Sequence, residues 1–110
     1  MRRFLLALIC AGVPAIALAA TLKPSTLVAS PASYDGKTVT VEGTVSNFQT
    51  SSTLMGKVAG FQLCDSSCIV VVDKTAQTRS NGATVTVTGV FHTSFSGPKR
   101  TFKNAVVIGG

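Results

Sequence analysis

The sequence predicts an all-β domain in which five strands curl into a small barrel, led by a short helical turn. Three observations carry that expectation. Thr38 to Val45 and Thr84 to Phe91 each alternate β-branched or apolar residues with polar ones, and each holds a glycine, Gly43 or Gly89, at the matching place. Lys57 to Asp73 reads as a tight hairpin in which Cys64 faces Cys68. The chain of 110 residues leaves room for one small core and not for two.

The first element is an address rather than part of the fold. Arg2 and Arg3 precede the apolar run Phe4 to Val13, Pro14 interrupts it, and Ala17-Leu18-Ala19 offers a small-residue cleavage site. Residues 1–19 are therefore expected to be a signal peptide cleaved near Ala19, which directs the chain to the periplasm or outside the cell. The apolar run is too short and interrupted to read as a membrane span. What remains carries eight Lys and Arg against four Asp and Glu, a net charge of +4 where the whole chain has +6. That balance favours anionic partners weakly.

Residues 20–36 form an N-terminal extension, and the domain proper is expected over residues 37–110. Ser25 or Thr26 can open one helical turn that Pro31 ends, and Asp35-Gly36 is a turn. The first strand is expected over 37–48, with Val39, Val41 and Val45 on one face, and the fourth over 83–94, with Val85, Val87, Gly89 and Phe91 on one face. A glycine inside a strand marks a bend or a close approach of backbone, which suits a sheet that curls. The second and third strands, 57–64 and 68–73, pair so that Leu63 faces Ile69 and Phe61 faces Val71 on one side, leaving both cysteines, Gln62 and Val70 on the other. Lys74 to Ser80 is polar, holds a short helix or turn, and is closed by Asn81-Gly82. The fifth strand is 101–108, and its apolar run leaves the inward face open.

The order of these pieces resembles a family. A leading helical turn, then Tyr34-Asp35-Gly36-Lys37-Thr38-Val39-Thr40-Val41-Glu42-Gly43-Thr44-Val45, the Phe61-Gln62-Leu63 hairpin and Val85-Thr86-Val87-Thr88-Gly89 are similar to exported bacterial OB-fold proteins of the transfer-RNA-anticodon-like group. The resemblance covers nearly the whole chain after the leader. It implies a five-stranded OB-fold barrel that binds its ligand on the face of strands 2 and 3 and through the loops after strands 1 and 4. The ligand it implies is an oligonucleotide, oligosaccharide, peptide or small anion.

On that reading the two loops, 47–56 and 93–100, flank one groove. Phe48 and Phe95 are the candidate stacking surfaces, and Lys57, Lys99, Arg100 and Lys103 the candidate phosphate contacts, the combination that single-strand binders use. A simpler use of the same residues is a solvated basic hairpin, with the two phenylalanines covering the barrel mouth. The partner classes are an anionic ligand or single-stranded nucleic acid, and a protein partner at a strand edge or outer face.

Catalysis finds little support. One histidine and four acids leave few groups for acid–base work, and neither a Gly-x-Ser-x-Gly elbow nor a Walker phosphate loop occurs. No enzymatic activity and no cofactor are expected. Cys64 and Cys68 are expected to form a structural disulfide, which export permits. A reactive dithiol favours Cys-x-x-Cys at a helix start, and c-type haem attachment needs Cys-x-x-Cys-His, whereas Ile69 follows Cys68 here. If the pair stays reduced, Cys64, Cys68 and His92 offer an alternative role in metal or haem handling. His92 follows the inward Phe91 and is expected to point outward.

Overall fold

The computed structural model describes residues 20–54, 56–97 and 100–109. The leader assigned to residues 1–19 lies outside these, as does Lys99. Two short helices, α1 (Pro24–Ala29) and α2 (Pro31–Tyr34), precede five strands: β1 (Thr38–Thr53), β2 (Gly56–Cys64), β3 (Cys68–Asp73), β4 (Thr84–Ser96) and β5 (Thr101–Ile108). The strands form one sheet that closes in a ring in the order β1-β2-β3-β5-β4, with β4 returning to β1. Every pairing is antiparallel except β3 with β5.

Both helices start on proline, whose fixed φ and missing N–H suit the first helical position. This moves the start of α1 to Pro24, one residue before the expected Ser25, and makes Pro31 the opening of a second helix as well as the end of the first. Pro24 and Leu27 of α1 are buried, and Leu27 joins the strand core. Ahead of α1, Leu22 lies parallel to β1, donating from its N–H to the Thr40 carbonyl (2.8 Å) and accepting from the Glu42 N–H (2.9 Å). It thereby covers a stretch of β1 that β2, whose pairing begins at Thr44, does not reach.

The period-two pattern places the core as expected. Val39, Val41, Val45, Val87 and Phe91 are buried together with Phe61, Leu63, Ile69, Val71 and Val106. Burying one such side chain fully contributes roughly 1.5–3 kcal/mol. The hairpin register is the expected one, with Phe61 opposite Val71, Leu63 opposite Ile69 and Cys64 opposite Cys68. The two strand glycines mark close approaches. A Cβ at Gly43 would lie 3.0 Å from the Cys64 carbonyl oxygen, and one at Gly89 would run into the Val107 carbonyl oxygen.

Two strands differ from their expected bounds, and the difference shapes the site. β1 runs on to Thr53 and β4 to Ser96, so the residues assigned to loops are mostly paired strand. β1 manages this through a bulge: its register against β2 shifts between Ser46 and Gln49, and Asn47 takes a φ of 55°. The Asn47 side-chain amide donates to Gln62 Oε1 (3.0 Å), and Asn81 Oδ1 accepts from the Phe48 N–H (2.9 Å). Beyond the ring, β1 with β2 and β4 with β5 continue as two-stranded ribbons.

Residues 74–80 hold a turn followed by irregular chain and no helix. This segment carries Arg79 over the Phe61 ring, 5.5 Å from its centroid, and 3.9 Å from the fully buried Asp73 carboxylate. Asp73 shares a face of β3 with Ile69 and Val71, and its Oδ1 accepts from the N–H and hydroxyl of Thr75.

Candidate functional site

Period-two alternation gives the hairpin a second face besides the core one. On it lie Val58, Gly60 and Gln62 of β2, opposite Ser51 and Gln49 of β1 and Val72 and Val70 of β3. The two ribbons bracket this face. Together they enclose an open groove of about 1240 Å³, lined by these residues, by Ser52 to Leu54 at one end and by Phe95, Gly97, Arg100 and Phe102 at the other.

The floor is apolar where Val58, Gly60, Val70 and Val72 meet, and amides and hydroxyls rim it. The charged residues in the lining are Lys74 and Arg100; no Asp, Glu or His is among the described lining residues. Phe95 and Phe102 are half-buried and stand opposite each other on β4 and β5. The Arg100 guanidinium sits 4.9 Å from the centre of the Phe102 ring. At the floor's far end the next cross-strand pair beyond Gln62 and Val70 is Cys64–Cys68, which is disulfide-bonded with an S–S distance of 2.03 Å.

The expected site residues divide. Phe95 and Arg100 line the groove. Phe48 turns inward after the bulge, packs against the core and lies 6.1 Å from Phe61 between ring centres, so it covers the core rather than the groove. Lys57 and Lys103 are exposed on the ribbons, opposite Ser52 and Ser94, and do not line the groove. Lys103 alternates with the lining residue Phe102 and so points to the other side. Lys99 falls outside the described residues.

Sequence reasoning missed Phe102 and the valines of the floor. For Val70 and Val72 a signal exists: Ile69 to Val72 is an unbroken apolar run, so these outer positions are apolar where a solvated face would be polar.

The disulfide loop is tied to the rest of the domain. Asp65 Oδ2 accepts from the Ser25 hydroxyl (2.7 Å), and Oδ1 accepts from the N–H of Ser25 (3.0 Å) and of Ser67 (3.1 Å). The Ser25 hydroxyl, helped by the backbone amides, holds the Asp65 carboxyl below its ordinary value against a smaller opposing effect of desolvation. Glu42 binds Lys23 at 2.8 Å and raises its pKa, first through that hydrogen bond and then by charge attraction.

Among the described residues no three His, Cys, Asp or Glu side chains gather as a metal site would require. His92 sits on β4 opposite Ala105, 6.1 Å from the Phe95 ring. Comparison with protein-family models, with curated proteins and with solved structures finds no match to this chain.

Proposed function

We propose that this chain is an exported, non-enzymatic binding module of the OB-fold type, which holds its ligand in the groove between the two ribbons. The observation that carries this reading is the make-up of the groove. Its floor is the outer face of β2 and β3, and its walls are the β1–β2 and β4–β5 hairpins. OB-folds bind on the corresponding strands and loops. The strand order, with β5 parallel to β3 and β4 closing on β1, supports the same reading. The ligand is an oligonucleotide, oligosaccharide, peptide or small anion. A described lining in which no carboxylate or imidazole is found suits binding better than acid–base chemistry. The leader-like residues 1–19 and the disulfide both fit an oxidising compartment outside the cytoplasm.

The test uses Gly60, which lies on the groove floor. A Cβ there meets nothing closer than the Val71 carbonyl oxygen at 3.9 Å, so Gly60→Phe fills the groove without a backbone clash. A thermal-shift screen of the oxidised mature domain would use a dT12 oligonucleotide, a neutral hexasaccharide, inorganic phosphate and a pooled peptide library. At least one class should raise the unfolding temperature of the natural protein and leave Gly60→Phe unmoved. Equal shifts in both proteins would place binding elsewhere and overturn the reading.

A further inference from the structure

The chemistry of the groove narrows the ligand class, on the reading that the groove is the binding site. A polynucleotide needs a track of positive charge and free aromatic faces. Here Phe48 is committed to Phe61, Arg100 covers Phe102, and Lys57 and Lys103 are not among the described lining residues. Among the described lining residues, what remains is Phe95 and two cations, Lys74 and Arg100, beside a floor of valines.

The backbone adds a second feature. β3 has six residues and is shorter than both neighbours. It pairs with β2 from Ala59 and with β5 from Ala105, so residues 56–58 of β2 and 101–104 of β5 carry no strand on that side among the described residues. These two open edges lie at opposite ends of β3 and border the groove. An open edge offers main-chain N–H and C=O groups to an extended segment, and side-chain pockets at alternate positions supply specificity.

We infer that the groove takes an extended peptide segment that alternates apolar and acidic residues. The apolar side chains lie on Val58, Val70 and Val72, the acidic ones meet Arg100 and Lys74, and the peptide backbone pairs with the open edge of β5 or β2. The absence of acidic residues from the described lining makes the charge complementary.

The experiment is panning of a random twelve-residue displayed peptide library against the oxidised mature domain, followed by amide-shift mapping of the most enriched synthetic peptide, with dT12 run in parallel. The expected result is enrichment of alternating apolar–acidic sequences that shift Val70, Val72 and Thr101 to Lys103. Gly60→Phe should weaken binding at least tenfold. Arg100→Glu, an exposed change that leaves the core intact, should weaken acidic peptides about fivefold or more. No enrichment, or shifts away from the groove, overturns the inference. If dT12 moves the groove residues and no peptide does, the peptide inference falls while the groove reading stands. If peptides and every other ligand class leave the groove residues unmoved, both fall.

Discussion

Phe95 and Phe102 face each other across β4 and β5, four residues beyond the Phe91–Val106 pair that belongs to the core. One pair stabilises the ring, and the other lines the groove. The two pairs should therefore respond differently to truncation. Phe95→Ala and Phe102→Ala should each change stability by less than about 1 kcal/mol, whereas Phe91→Ala should cost about 3–5 kcal/mol. Urea unfolding separates these outcomes, and calorimetry with a groove ligand should show the first two variants binding about tenfold more weakly.

The strand glycines give a sharper contrast. Gly89→Ala drives a methyl group into the Val107 backbone and should destabilise by about 1–3 kcal/mol. Gly60→Ala adds the same methyl group to open space and should stay within about 0.5 kcal/mol of the natural protein. Equal losses in the two variants would mean that β4 and β5 do not approach as described.

Asp65 links stability to pH. Its folded pKa is lowered, chiefly by the Ser25 hydroxyl, so its contribution is complete above the unfolded value of about 3.9 and is lost as pH falls through the folded value. Melting temperatures between pH 2 and about 6 should fall at the acid end in the natural protein. In Asp65→Asn that part of the acid-side decline should be missing, and the variant should be the less stable of the two at neutral pH.

The disulfide closes a very short loop, with Cys64 and Cys68 four positions apart. Loop-closure entropy for so small a ring amounts to about 2 kcal/mol. The double variant Cys64→Ser, Cys68→Ser should remain folded and lose about that much by urea unfolding. A loss near zero would show that the Asp65–Ser25 clamp holds the loop without the covalent bond.

The core was legible because it obeys one rule. Alternation in Thr38 to Val45, Phe61 to Val71 and Thr84 to Phe91 placed the buried side chains and the hairpin register correctly. The ribbons were not legible, because an arm exposed on both faces has no apolar period. Gln49 to Thr53 reads as a loop for that reason, although every one of those residues has a partner on β2. The side on which Phe48 lies is not legible either, since the bulge at Asn47 inserts one extra residue and reverses the face. The Arg79–Asp73 contact depends on an irregular segment folding back over β2 and β3, which no local pattern encodes. Of the groove lining, Phe95 and Arg100 are among the residues the sequence singles out, and the valine floor is present only as an apolar run longer than a one-sided strand needs.

The most direct measurement is an amide-shift map of the oxidised domain, residues 20–110, titrated with the ligand class that the thermal-shift screen selects. Shifts confined to Val58, Gly60, Gln62, Val70, Val72, Phe95 and Phe102, and absent from Gly60→Phe, are the expected result. Shifts concentrated on α1, on β1 before the bulge or on the outward residues of β4 would contradict groove binding and move the function to another face of the domain.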